Sequence, residues 1–181
     1  MAAAGLAGAV GPAPDRERAE QPLVVLDAAD HSIEARTTIR IHAPPATVWA
    51  VLSSCSEAVK IVPGLEVCEV RETAPDRSWE RIRQVMTYAR FLPKMSYEVR
   101  VSYLKPDRIA FERISGDLIT LRGSWVLVRD GEYTVARYLL DFEPDFWAPR
   151  WIVRAALKRD LPKMLRALRA NAESAAAKNL G

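Results

Sequence analysis

Apolar residues recur along this chain with two periods, and the change of period marks its architecture. From Trp147 to Ala172 the text WAPRWIVRAALKRDLPKMLRALRANA sets Val153, Leu157, Leu161, Met164 and Leu168 at steps of three and four, one stripe of a helix. Trp147, Trp151, Ala156, Leu165 and Ala172 widen the stripe. Arg150, Arg154, Lys158, Arg159, Lys163, Arg166 and Arg169 fill most of the remaining surface. Upstream the period falls to two. In MSYEVRVSYL, Tyr97, Val99, Val101 and Tyr103 alternate with Glu98, Arg100 and Ser102, which predicts a strand with one buried face. ARTTIRIHA sets Thr37, Ile39 and Ile41 against Thr38, Arg40 and His42 in the same way.

Turn residues divide the period-two region. Pro44 and Pro45 stop the first strand, and Pro45 suits the first turn of a helix over ATVWAVLSS, where its missing N–H costs nothing. Val48, Val51 and Leu52 share one face of that helix, with Trp49 beside them. SEAVKIV predicts a second short helix with Ser56 as N-cap, ended by Pro63-Gly64. Six strands follow: LEVCEVRE, SWERIRQVMTYA, MSYEVRVSYL, RIAFERI, LITLRGSWVLV and EYTVARYLLDFEP. Pro75-Asp76, Lys105-Pro106-Asp107, Gly116-Asp117 and the hairpin signal Asp130-Gly131 separate them. Gly123 marks a bulge or bend. Spacing of roughly 10 to 13 residues predicts an antiparallel meander.

The expected fold is therefore α+β: a curved antiparallel sheet of about seven strands wrapped around a long C-terminal helix, with two short helices after the first strand. The domain covers 33–174. Residues 1–32 are expected as a disordered or loosely ordered N-terminal segment in which Pro22–His31 can add a loose edge strand, and 175–181 are a tail. Pro162 either kinks the long helix or follows a break, with Asp160 capping a second helix.

Composition narrows the function classes. The chain has 181 residues, 49% hydrophobic and 27% charged, enough for one domain with its own core. A net charge of +3 gives no reason to expect nucleic acid, although the positive charge gathers in the last helix. That basic face is either a solvated surface or a peripheral contact with anionic membrane. YARFLPKM, with Phe91, Leu92 and Met95 beside Arg90 and Lys94, is either continued strand or a tip that touches headgroups or gates a pocket. No apolar run reaches the roughly 20 residues that span a bilayer. Met1–Asp15 is Ala/Gly/Pro-rich without a basic n-region, and a disordered tail is expected. The cytoplasm is then the default compartment; a periplasmic location follows if AGLAGAV is the remnant of a leader.

Candidate chemistry is sparse. Cys55 and Cys68 are expected as buried thiols, with a bridge between them as the alternative. His31 and His42 lack the spacing of metal ligands, and neither metal nor cofactor is expected. The chain has no G-x-S-x-G elbow, H-E-x-x-H pair, phosphate loop or dinucleotide fingerprint.

The element order and several motifs resemble the START-like, helix-grip (SRPBCC) superfamily, which includes polyketide cyclases, plant pathogenesis-related allergens, lipid-transfer domains and coenzyme-Q-binding proteins. The matching text is APPATVWAVLSS, VPGLEV, ISGDLITLRGSWVLV, DGEYTVARYLLDFEP and the long helix with Lys158-Arg159-Asp160-Leu161-Pro162, about Ile33 to Glu173. The SGDL…GSW and YxLxFEP text is closest to the coenzyme-Q-binding and cyclase branch. The resemblance implies a hydrophobic small molecule as partner: a lipid, a prenylated quinone or a polyketide.

A curved sheet gripping a helix leaves an apolar gap of the kind ligands use. Its expected lining is Tyr97, Val99, Val101, Phe111, Trp125, Tyr138 and Leu140 from the sheet, with Trp151, Leu157, Leu161 and Met164 from the helix. The bland alternative is a solid core. Tyr97 and Tyr138 would offer a hydroxyl to a quinone or ketone oxygen, or only to a backbone carbonyl. A carrier or chaperone is the preferred reading. In the alternative, a cyclase, the resemblance implies that Arg113 or Arg137 with Tyr138 orients a poly-ketone; otherwise both arginines point outward and pair with Glu112 or Asp141.

Overall fold

The alternation of ARTTIRIHA becomes a strand whose inner face is fully used. In the computed structural model, which describes residues 23–28, 32–87, 94–145 and 149–179, Ile33, Ala35, Thr37, Ile39 and Ile41 are all buried. The element order is β1 (Leu23–Ala28), β2 (Ile33–Ile41), α1 (Pro45–Leu52), α2 (Cys55–Ile61), β3 (Leu65–Thr73), β4 (Trp79–Met86), β5 (Met95–Leu104), β6 (Arg108–Gly116), β7 (Leu118–Asp130), β8 (Tyr133–Pro144) and α3 (Arg150–Lys178). The eight strands form one antiparallel sheet in the order β1-β2-β8-β7-β6-β5-β4-β3. The α1–α2 insertion carries the chain from β2 to the opposite edge, and the meander then walks back until β8 pairs with β2. This is the α+β helix-grip arrangement.

The edge strand allowed for within Pro22–His31 does form, and it gives the sheet an eighth strand. β1 pairs with β2 along its length, from Leu23↔Thr38 to Ala28↔Ile33. It is held from below as well: Leu26 is buried, and Arg154 of α3 donates to the Leu26 carbonyl at 3.0 Å. A strand pattern weak in the sequence is stabilised here by the open edge of β2 and by the helix beneath it.

Local signals place the helices. α1 begins at Pro45 and buries Val48 and Val51. α2 starts one residue before the expected cap: Ser54 is its N-cap, its Oγ accepting the Glu57 N–H at 3.5 Å, while Ser56 Oγ only shares a hydrogen bond with Ser54. α3 runs unbroken through Pro162 for 29 residues and ends at Lys178, beyond the expected boundary. Its buried stripe is Val153, Leu157, Leu161, Met164, Leu165, Leu168 and Ala172. The C-terminal half is tied to β2 and its exit: Arg169 Nε donates to the Arg40 carbonyl at 3.0 Å, and Glu173 accepts the His42 backbone N–H at 2.9 Å. There Leu165, Leu168 and Ala172 are completely buried, as are Ile41 and Val48. The Phe91-Leu92 tip, Trp147, His31 and Met1–Asp15 lie outside the described residues.

Candidate functional site

Under the N-terminal half of α3 the sheet and helix separate. A cavity of about 210 Å³ opens there, and most of its wall is apolar. Strand alternation supplies the floor: Ile82, Gln84 and Met86 of β4, Tyr97, Val99, Val101 and Tyr103 of β5, Ile109 and Phe111 of β6, Leu121 and Trp125 of β7, and Tyr138, Leu140 and Phe142 of β8. The helix supplies Leu157, Asp160, Leu161 and Met164. The segment Val51–Cys55 and the α2 residues Ala58 and Ile61 close one side, with Cys68 of β3 below them.

Three aromatic rings form a graded platform on this floor. Trp125 and Tyr138 stack with centroids 4.3 Å apart and planes 28° from parallel; Phe111 and Tyr138 lie 6.0 Å apart at 24°. Gly123, between Leu121 and Trp125, makes the platform fit. A Cβ built there would collide with the Phe111 ring and the Leu139 carbonyl. The glycine foreseen as a bulge or bend thus gives close approach of ring and backbone, in a stretch where the β7–β8 register is regular.

Two tyrosines differ in what their hydroxyls meet. Tyr103 Oη donates to Glu80 Oε2 at 2.7 Å; burial, reinforced by that carboxylate, raises its pKa. Tyr97 is buried more deeply, and burial alone raises its pKa, so it stays a neutral phenol. Its Oη points to Met86 Sδ at 4.0 Å, a weak acceptor. The Tyr97 hydroxyl thus meets a thioether inside the cavity. Asp160, also in the wall, is occupied: Arg159 reaches it at 2.7 Å and Lys163 at 3.8 Å.

Cys55 and Cys68 are joined as a disulfide, not left as separate thiols. The bridge links the first residue of α2 to β3, at an edge of the sheet, across a Cα–Cα distance of 5.3 Å. Both cysteines line the cavity. α2 is seven residues long with only Ile61 fully buried, too short and too lightly packed to hold its place by helix formation alone. The bridge fixes that wall.

Of the residues named from the sequence, Tyr97, Val99, Val101, Phe111, Trp125, Tyr138, Leu140, Leu157, Leu161 and Met164 come together around this space. Trp151 does not. It is 71% exposed. Leu157 is six residues further on, and at about 3.6 residues per turn the two project from different sides of the helix. Arg137 is also outside: it is exposed and precedes Tyr138, and successive strand residues face opposite ways. Arg113 is half-buried but does not line the cavity; its Nη2 donates to the Gly116 carbonyl at 3.1 Å. Asp141, its suggested partner, pairs with Arg122 instead, at 2.7 Å.

The residues that sequence reasoning missed are the β4 set, Cys68, Tyr103, Ile109, Leu121, Phe142, Asp160 and the α1–α2 wall. Gln84 had a signal: one polar residue between Ile82 and Met86 on a face that otherwise reads as core. A wider groove of about 630 Å³ lies on the opposite face of the sheet. Its charges are largely spent on one another or on rings, as in Arg36–Glu34 at 3.3 Å, Arg122–Asp141 at 2.7 Å and Arg100 over the Trp79 ring at 4.4 Å. That groove is an ordinary solvated sheet surface. The concave, apolar, aromatic-lined space is the candidate site.

A curved sheet, a gripping helix and an apolar hollow between them define the helix-grip class. The family model described as polyketide cyclase / dehydrase and lipid transport matches residues 41–169, and the chain belongs to that family. Solved structures share the fold at low identity. A Thermus thermophilus protein aligns with a TM-score of 0.68 and 22% identity over 78% of this chain and 98% of its own. A Streptomyces aromatase/cyclase gives 0.68 and 20%, over 79% and 94%. A STAR-related lipid transfer protein from Xanthomonas axonopodis gives 0.65 and 16%, over 82% and 98%. No functionally curated protein matches the sequence.

Proposed function

We propose that this protein binds a hydrophobic small molecule carrying a flat ring and a carbonyl or quinone oxygen, and acts as its carrier or chaperone. The observation that carries this reading is the stacked Phe111–Tyr138–Trp125 platform in the same cavity as the weakly partnered Tyr97 hydroxyl. The ring lies on the platform, and Tyr97 exchanges a poor sulfur acceptor for the ligand oxygen. A buried donor gains from that exchange because leaving it poorly paired has a cost of about 1–3 kcal/mol.

Volume limits the ligand. About 210 Å³ lies below the range for pockets that enclose drug-sized molecules. A prenylated quinone or lipid would seat its head and leave most of its tail in the opening. Each methylene that the walls do cover contributes about 0.8 kcal/mol.

The carrier reading is favoured over the cyclase reading because the arginines that would orient a poly-ketone do not line the cavity: Arg137 faces outward and Arg113 is held by a carbonyl. The test is mass spectrometry of organic extracts of the purified protein, with titration of a short-chain ubiquinone analogue followed by tryptophan fluorescence. Co-purifying ring lipid, or saturable quenching lost in Trp125→Phe, is expected. An empty protein that no quinone quenches would end the proposal, and turnover of a linear poly-ketone would favour the cyclase.

A further inference from the structure

We propose that the outward face of α3 docks the protein onto an anionic membrane surface. Charge is segregated along the chain. α3 carries eight lysines and arginines against Asp160 and Glu173, hence +6, while the whole chain is +3; everything outside the helix therefore carries −3. Both acids are turned away from the outer face. Glu173 is half-buried and accepts the His42 N–H, and the Asp160 side chain is only 18% exposed. What remains outward is Lys158, Arg159, Lys163 and Arg166, all exposed, with no exposed carboxylate between them. Arg159 and Lys163 share Asp160, whereas Lys158 and Arg166 have no ion-pair partner among the described residues.

A basic face alone would be an ordinary solvated surface. The second observation is Trp151, which is 71% exposed in the first turn of the same helix. Trp belongs either in a core or where apolar and wet environments meet. From Trp151 to Arg166 the row spans about 22 Å at the helical rise. A ring that enters the acyl boundary at one end, followed by cations at headgroup level, is the pattern of an interfacial helix. A bilayer is chosen over an acidic protein because one large apolar side chain flanked by cations needs no matching pocket on its partner. No helix among the described residues is long and apolar enough to cross a membrane, so the contact proposed is peripheral. The opposite side of α3 lines the cavity through Leu157, Leu161 and Met164, which places the cavity wall one helix diameter from the headgroups.

The experiment is flotation of the full chain with phosphatidylcholine vesicles, with and without phosphatidylglycerol, at low and high salt. Binding to the anionic vesicles only, weakened by salt, is expected. Lys158→Gln with Arg166→Gln should lower partitioning on the order of 25-fold, from about 1 kcal/mol per surface cation. Trp151→Ala should lower it severalfold at both salt concentrations. Unfolding curves of these exposed-site variants check that they fold. Equal partitioning into neutral vesicles, no partitioning, or poly-glutamate displacing the vesicles with Trp151→Ala unchanged would overturn the proposal, the last result in favour of an acidic protein. None of these outcomes depends on what the cavity holds.

Discussion

The two halves of α3 cover the same sheet in different ways. The C-terminal half lies on solid core: Leu165, Leu168 and Ala172 are completely buried, and hydrogen bonds from Arg169 and to Glu173 fix the helix to β2 and to His42 just beyond it. The N-terminal half spans a hollow in which Leu157, Leu161 and Met164 meet ring faces and space. One stripe of leucines thus does two jobs. Where both layers are filled by aliphatic side chains they touch. Where the floor is a flat aromatic stack, the helix is held away. Tight packing is concentrated in the first region and open volume in the second.

The sharpest way to break this comparison is a pair of truncations. Leu168→Ala should cost about 4 kcal/mol in urea unfolding, because a filled site is emptied; Leu161→Ala should cost about 2 kcal/mol, because that side chain already borders space. Equal costs would mean that the two halves do not differ energetically. Next is the staple on the cavity wall. Replacing Cys55 and Cys68 by serine should cost about 3 kcal/mol, the loop-closure figure for a bridge spanning 13 residues, and should raise amide exchange in α2 while α1 stays protected. Uniform exchange in both helices would show that the bridge does not hold that wall in particular.

A smaller effect separates recognition from stability. Tyr97→Phe should change neutral-pH stability by less than about 1 kcal/mol and weaken a quinone analogue on the order of tenfold, the worth of one hydrogen bond. Its raised pKa adds a pH signature. The folded phenol holds its proton more tightly than the unfolded one, so its contribution is complete below about pH 10 and is lost as pH rises beyond it. Tyr97→Phe should flatten that alkaline loss; a wild-type-like alkaline limb would assign the effect to other groups. The smallest expected change is Arg137→Ala, within about 0.5 kcal/mol of wild type and without effect on ligand affinity, because that side chain lies on the far side of the sheet. A large loss of affinity would return it to the site.

Much of the architecture was legible because its signals are local. Period two in MSYEVRVSYL, Pro45 at a helix start and Asp130-Gly131 at a hairpin each act over a few residues, and each produced the expected element. The departures have separate causes. β1 is weak text rescued by an open edge and by Arg154. Trp151 reads as stripe but turns outward. The family resemblance pairs Arg137 with Tyr138, although neighbours on one strand cannot share a face.

By itself, then, the sequence determined the order of elements from β2 onward and, within the strands, which side chains share a face, since backbone geometry sets those periods residue by residue. Tertiary structure alone decided that Cys55 meets Cys68, that Gly123 admits the Phe111 ring, and that Tyr97 ends against a thioether. It also decided where the interior stays open. Empty volume is the difference between two curved surfaces contributed by distant stretches of chain, and no local period encodes a difference of that kind.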